Sequence, residues 1–115
     1  LDKYENINNV EPGSIKIIPW IETALAIMNA YQICCSSPRV ISVAFGAEDF
    51  TNDMDIERRD DESEVLYAKN VVCTSAKAAG IYSLDTPFFG FRNPDALCKN
   101  VREDELKINK TAQCA

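Results

Sequence analysis

The sequence predicts an α/β fold built around a parallel sheet. Short apolar runs that are typical of buried strands alternate along the chain with segments whose apolar residues recur at helical spacing. The first two runs lead into acidic residues, Glu22 and Asp49. Because ligands of parallel α/β folds lie at the carboxyl ends of the strands, these two acids are candidate site residues.

The first strand is predicted over residues 15–21, after a polar segment that closes with a proline–glycine turn. The apolar pattern then changes period and predicts a helix over residues 25–35. That helix should end before Pro38, because proline disfavours the helical conformation in the residue before it. The second strand is predicted over residues 40–45.

A polar stretch over residues 51–60 follows the second strand. It is either a solvated loop or a mobile flap over a site at the adjacent strand end. The next helix carries an apolar stripe over residues 65–79, and Asp60 or Asp61 is its candidate cap. Gly80 suits the left-handed position that ends such a helix.

The third strand is predicted over residues 81–85 and again ends in an acid, Asp85. A third helix is predicted over residues 95–101, with Pro94 at its first position. Residues 110–115 complete the pattern as a fourth strand. An order in which strands and helices alternate indicates a parallel sheet with right-handed crossovers.

Composition limits the functional classes. The length of 115 residues suits one domain, and a net charge of −6 without a basic stripe argues against a nucleic-acid partner. No apolar stretch approaches the ~20 residues that cross a bilayer, and the first residues lack the plan of a secretion signal. Five cysteines, an odd number without a C-x-x-C pair, predict reduced thiols. We therefore expect an intracellular protein without a membrane partner.

The chain contains no histidine, which excludes histidine-based catalytic triads and makes zinc a poor candidate. Glu22 and Asp49 follow neighbouring predicted strands and form a hard-oxygen pair suited to a divalent cation such as Mg2+. The alternative roles are a helix-capping carboxylate for Glu22 and a turn residue for Asp49. Asp85 either supports the metal ligands without binding the metal itself or caps a loop.

Several short motifs together resemble one known family. They are KIIPWIETA over residues 16–24, AFGAEDFT over residues 44–51, LDTPF over residues 84–88 and FRNPD over residues 91–95. Their order and spacing are similar to those of the citrate lyase beta-subunit family. That family includes malyl-CoA and citramalyl-CoA lyases within the HpcH/HpaI aldolase superfamily. The resemblance covers roughly residues 14 to 115.

The resemblance implies a parallel (β/α) barrel of the TIM type, in which this chain matches strands five to eight. A complete barrel needs ~250 residues, so residues 1–115 are expected to be the C-terminal half of a barrel, a fragment. Half a barrel leaves two strand edges open, so we expect this chain to be partnered or incomplete, and the expected assembly is a homo-oligomer. The positions that serve related enzymes as general acid or base lie outside this sequence, so no catalytic residue is assigned.

The resemblance also implies a reaction. Glu22 and Asp49 correspond to the family's Mg2+ ligands, and Gly46, Ala47 and Glu48 occupy the turn that holds the carboxylate of a 2-oxo acid. The implied enzyme is a Mg2+-dependent carbon–carbon lyase that cleaves a 3-hydroxyacyl-CoA of the malyl-CoA or citramalyl-CoA type. Its products are acetyl-CoA and a 2-oxo acid, in the cytoplasm or the mitochondrial matrix.

Two alternatives stay open. One is a citrate lyase beta subunit that acts on an acyl-carrier-protein thioester, and the other is a noncatalytic or truncated paralogue with a regulatory or scaffold role. Individual side chains also have plainer roles. Glu48 is expected to be a solvated or supporting acid rather than a metal ligand. Arg58 should form ion pairs rather than meet CoA phosphates, and Trp20 and Phe45 should pack within the strand layers.

Overall fold

Four parallel strands form one sheet in the order β1–β2–β3–β4. The computed structural model describes residues 1–59, 61–85, 87, 92–107 and 112–113. The strands are β1 (Trp20–Ile21), β2 (Ser42–Phe45), β3 (Tyr82–Asp85) and β4 (Ala112–Gln113). Each strand pairs in parallel with the next, which confirms the predicted α/β class with a parallel sheet.

Helices connect the strands, as parallel pairing requires. They are α1 (Asp2–Ile7), α2 (Ala24–Met28), α3 (Ala30–Cys34), α4 (Ala47–Asp53), α5 (Leu66–Ala79) and α6 (Pro94–Lys107). α2 and α3 lie between the first two strands, α4 and α5 between the next two, and α6 before the last. The alternation of strands and helices is therefore confirmed, and Pro94 opens α6 as predicted.

The first strand is shorter than the predicted residues 15–21. The regular ladder is limited to β1, and an isolated parallel bridge joins Ile17 to Val40. Pro19 explains the interruption, because it has no N–H to donate to the neighbouring strand. Its carbonyl oxygen still accepts a hydrogen bond from the N–H of Ala44 at 2.9 Å.

The predicted helix over residues 25–35 is instead two short helices that meet at Asn29. The side-chain amide of Asn29 donates to the carbonyl oxygen of Leu25 at 2.7 Å, and the backbone of Asn29 leaves the helical region with φ −109° and ψ 12°. Such local bonds compete with the continuation of a helix. α3 nevertheless ends before Pro38, as expected.

Two helices, α1 and α4, were not predicted from the sequence. Residues 51–53 of the stretch read as a loop lie in α4. The helix that follows, α5, begins at Leu66, later than a cap at Asp61 would place it, and Asp60 lies outside the described residues. The carboxylate of Asp61 accepts a hydrogen bond from the N–H of Ser63 at 3.2 Å. Asp61 therefore stabilises a local turn before α5 and does not cap the helix. Gly80 follows α5 with φ 73°, the predicted left-handed conformation.

The apolar core lies between the sheet and the helices. Its enclosed side chains include Ile21, Val43, Phe45, Val65, Ala68 and Val72. Complete burial of each large side chain contributes roughly 1.5–3 kcal/mol, and Phe45 packs in the strand layer as predicted. β2 is buried along its whole length, whereas β1 and β3 alternate. Trp20 is 48% exposed and Tyr82 is 78% exposed, so within this chain alone Trp20 does not pack in the strand layers as predicted.

The cysteines that the structure describes are free thiols, as predicted. Cys34 is buried, Cys73 is partly buried, and Cys35 and Cys98 are exposed. Cys114 lies outside the described residues. No helix within the described ranges has the length and apolar character that crossing a bilayer requires.

A buried carboxylate ties the N-terminal segment to the sheet. Glu5 of α1 is completely buried, and both of its oxygens accept hydrogen bonds from Arg39 at 2.7 Å. The backbone N–H groups of Gly13 and Ile15 also donate to Glu5, each at 2.9 Å. The bonds from Arg39 and Gly13 lower the pKa of Glu5 from 4.5 to about 2, because they favour its charged form.

This carboxylate should make the stability of the protein depend on acidity. The folded pKa of Glu5 is depressed, so its contribution is present above pH 4.5 and is lost as the pH falls toward about 2. We predict that the difference in free energy of unfolding between wild type and Glu5→Gln shrinks across this window. Urea unfolding at several pH values measures the difference. The exposed Glu11→Gln serves as the control, and a difference independent of pH would contradict the prediction.

Candidate metal centre

A groove opens at the carboxyl ends of β1 and β2. It has a volume of about 120 Å³ and is lined by Trp20, Glu22, Gly46, Ala47, Glu48, Asp49 and Pro87. Five of these residues are the metal and substrate positions expected from the sequence. The groove therefore brings together all the expected site residues except Asp85.

The pairing of the first two strands places Glu22 and Asp49 side by side. Ile21 lies opposite Phe45 in the parallel register, and the N–H of Gly46 donates to the carbonyl oxygen of Ile21 at 3.1 Å. Glu22 follows directly after β1, and Asp49 lies in the first turn of α4. Two acids that are 27 positions apart in sequence thus meet at one edge of the sheet.

The two carboxylates interact directly. Partial burial raises the pKa of Glu22 above its ordinary value, and the charge of Asp49 and a hydrogen bond between the two side chains raise it further. A like charge nearby disfavours ionisation of both carboxylates. No lysine or arginine forms an ion pair with either acid within the described part of the chain. The pair is therefore a place where a cation would relieve repulsion.

The Glu22 side chain lies directly over the backbone of Gly46. A Cβ atom built on Gly46 would lie closer than 3.0 Å to three atoms of the Glu22 side chain. Such contacts are sterically forbidden unless Glu22 moves. A glycine at this position is thus a condition for the observed placement of the Glu22 carboxylate.

The helix-cap alternative for Glu22 is not supported. The residue that caps α2 is Thr23, whose hydroxyl oxygen accepts the N–H of Ala26 at 3.1 Å. Glu22 therefore has no capping bond among the described residues, and its carboxylate faces the groove beside Asp49.

Glu48 turns its carboxylate toward an arginine. Its Oε1 atom accepts a hydrogen bond from Nε of Arg58 at 2.9 Å. Arg58 also pairs with Glu64 and with Glu62, the latter at 3.5 Å. The predicted ion pairs of Arg58 are confirmed. They hold the first turn of α4 against the segment that precedes α5.

The same network continues to Asp85. Nζ of Lys69 lies 2.9 Å from a carboxylate oxygen of Glu62 and 2.8 Å from one of Asp85. Both Lys69 and Asp85 are buried. Burial alone would lower the pKa of Lys69, but Asp85 and Glu62 outweigh that effect and raise it. Asp85 lies among the core residues beneath α5 rather than in the groove, and its support of the metal ligands stays a prediction.

The donor set fits a cation that needs few protein ligands. Among the described residues, no group of three or more histidine, cysteine, aspartate or glutamate side chains is arranged so that it could hold a metal ion. Two carboxylates in an open groove match Mg2+, which keeps several waters and takes one or two protein carboxylates. Trp20 also lines this groove, although the apolar pattern of β1 assigned it to the strand layers.

Comparison with known proteins points to one family. The model of the family described as HpcH/HpaI aldolase/citrate lyase matches residues 3–105. The citrate lyase subunit beta of Leuconostoc mesenteroides subsp. cremoris is 38% identical over 90 residues, which are 78% of this chain and 30% of that protein. The mitochondrial citramalyl-CoA lyase of Mus musculus is 32% identical over 97 residues, covering 77% of this chain and 29% of that protein.

A solved structure shares the fold. It is a citrate lyase beta subunit from M. tuberculosis complexed with oxaloacetate and magnesium, with a TM-score of 0.74 at 19% identity. The match covers 94% of this chain and 49% of that one. The chain thus spans about 30% of the length of the curated relatives it matches. These findings confirm the family resemblance read from the sequence motifs.

The buried ion pair of Lys69 and Asp85 gives a stability prediction. Asp85→Ala should lower the free energy of unfolding by about 3 kcal/mol, because it deprives the buried Lys69 of one of its carboxylate partners. The double variant Lys69→Met/Asp85→Leu should cost less, since it removes both charges. Urea unfolding measures both. The exposed pair of Arg59 and Asp61 is the control, where Asp61→Ala should cost less than about 1 kcal/mol. Equal losses for Asp85→Ala and Asp61→Ala would contradict the prediction.

Proposed function

The chain belongs to the HpcH/HpaI aldolase/citrate lyase family, and we propose that it supplies the metal-binding part of a Mg2+-dependent carbon–carbon lyase. The proposed substrate is a 3-hydroxyacyl-CoA of the malyl-CoA or citramalyl-CoA type, and the products are acetyl-CoA and a 2-oxo acid. The observation that carries the proposal is the placement of Glu22 and Asp49 in one open groove, near enough for Asp49 to raise the pKa of Glu22. The relative named citramalyl-CoA lyase supports this substrate class.

Glu22 and Asp49 would hold the cation. Mg2+ held there would act as a Lewis acid and would stabilise the negative charge that develops on a substrate oxygen when the carbon–carbon bond breaks. The two residues contribute a pair of oxygen ligands at a fixed edge of the sheet, and the open side of the groove leaves room for water and substrate. Within the described residues we assign no general acid or base.

Gly46, Ala47 and Glu48 would line the place of the 2-oxo acid. Gly46 and Ala47 present little side chain to the groove, so a small ligand can approach their backbone. The Glu48 carboxylate would repel an acid, but its bond to Arg58 holds that charge in an ion pair. A volume of about 120 Å³ leaves room for a small acid.

The sheet would form half of an eight-stranded barrel, as the C-terminal half expected for residues 1–115. Four parallel strands with helical connections support this assignment, and the chain matches about half of a solved relative. The exposed faces of Trp20 and Tyr82 would then lie inside the barrel. The CoA contacts and the general acid or base would come from the rest of the protein. A homo-oligomer and an intracellular location stay predictions.

A second candidate is a citrate lyase beta subunit that acts on an acyl-carrier-protein thioester. It is favoured by the identity of 38% to a citrate lyase subunit beta, against 32% to the mouse citramalyl-CoA lyase. Both candidates use the same pair of acids and the same class of bond cleavage. The noncatalytic alternative differs from both, because it requires no cation at Glu22 and Asp49.

Calorimetry tests the proposed function on the full-length protein. We predict that Mg2+ binds, that pyruvate binds in its presence, and that Glu22→Gln and Asp49→Asn each weaken Mg2+ binding by more than about 10-fold, the usual minimum for removing even a supporting residue. Glu48→Gln should bind Mg2+ like the wild type, because its carboxylate pairs with Arg58. Absence of Mg2+ binding, or binding that Glu22→Gln leaves unchanged, would favour the noncatalytic alternative.

A single methyl group at Gly46 should disturb the same site. Gly46→Ala forces the Glu22 side chain to move, so we predict a fall in Mg2+ affinity of about 10-fold. Gly80→Ala is the matched control. A Cβ there meets no atom within 4 Å, and its φ of 73° costs stability without touching the groove. Gly80→Ala should keep the wild-type Mg2+ affinity. If Gly46→Ala keeps it as well, the placement of Glu22 over Gly46 is not required for binding.

A further inference from the structure

We propose that Asp53 is a positioning residue that keeps the two metal-binding carboxylates together. The proposal rests on the role in Mg2+ binding proposed for Glu22 and Asp49. Asp53 lies outside the residues that line the groove. It acts by joining the two segments of chain that carry the ligands.

The joining contact is a hydrogen bond between α4 and α2. Oδ2 of Asp53 accepts the backbone N–H of Ala24 at 2.8 Å. Ala24 is two positions after Glu22, and Asp53 is four positions after Asp49. Residues four apart on a helix lie on the same face, one turn from each other. The bond therefore links the segment that follows Glu22 to the helix face that carries Asp49.

The N–H of Ala24 is available for this contact because Ala24 is the first residue of α2. The first N–H groups of a helix have no partner within the helix. Thr23 provides a local acceptor for Ala26, and Asp53 provides a remote one for Ala24. A carboxylate acceptor makes a stronger bond than a neutral oxygen.

Together with a second hydrogen bond, this contact joins the two chain segments on both sides of the acids. On one side of the acids, the N–H of Gly46 donates to the carbonyl oxygen of Ile21 at 3.1 Å. On the other side, Asp53 holds Ala24. When Glu22 and Asp49 are both ionised, as cation binding requires, their like charges push the two segments apart. Two fixed contacts oppose that separation, so less ordering remains to be done when a cation binds.

A merely structural cap would behave differently. Loss of a cap lowers the stability of the protein but has no selective effect on the cation. Ala24→Pro separates the two roles, because it removes the donor N–H while proline is favoured at the first position of a helix. Thr23 already has φ −136° and ψ 156°, the extended conformation that a residue before proline prefers.

Mn2+ binding to the full-length protein, followed by electron paramagnetic resonance, tests the proposal. We expect Asp53→Ala and Ala24→Pro each to weaken Mn2+ binding by about 10-fold, and the double variant to be no weaker than either single one. Asp53→Asn retains an acceptor oxygen and should bind within about threefold of wild type. Asn52→Ala, the exposed neighbour on α4, is the matched control and should bind normally. Urea unfolding of Ala24→Pro should show a folded protein.

The outcomes separate the two proposals. If wild type binds Mn2+, Glu22→Gln does not, and Asp53→Ala and Ala24→Pro bind normally, the positioning role is overturned while the metal site stands. Additive losses in the double variant would also overturn it, because each residue would then act through some other contact. If wild type itself binds no Mn2+, the metal site fails, and the role of Asp53 fails with it.

Discussion

The pairing of the end of β1 with the end of β2 is the constraint on which the candidate centre depends. It sets Ile21 opposite Phe45 and bonds the N–H of Gly46 to the carbonyl oxygen of Ile21. The chain leaves both strands at the same edge of the sheet, so Glu22 and Asp49 meet there. A slip of one residue in this register would turn the buried side chains of both strands to the wrong face, and the two acids would separate.

The distribution of charge distinguishes this pair from the other acids of the site region. Glu48 pairs with Arg58, and Asp85 pairs with Lys69. In the part of the chain that the structure describes, those acids are neutralised by the protein itself. Glu22 and Asp49 instead contact each other, and burial together with the neighbouring charge raises the pKa of Glu22. Ionising both acids costs stability, and either a proton on Glu22 or a bound divalent cation would offset that cost.

The sequence predicts the features that depend on local pattern. The parallel α/β class and the left-handed Gly80 follow from apolar periodicity and turn residues, and the structure agrees. Glu22 follows β1 directly, whereas Asp49 lies in the first turn of α4, after β2 has ended at Phe45. The features it does not predict depend on contacts between distant residues. The bond of Arg39 to Glu5 spans 34 positions and the bond of Asp53 to Ala24 spans 29. Neither bond leaves a local signal in the sequence, because an acidic residue on a short helix resembles any solvated side chain until its distant partner is known.

The most direct test of the central claim is an anomalous diffraction measurement on crystals of the full-length protein grown with Mn2+. The account predicts one anomalous peak between Glu22 and Asp49, within about 2.5 Å of an oxygen atom of each carboxylate. A peak elsewhere, or a map with no peak between the two carboxylates, would contradict it.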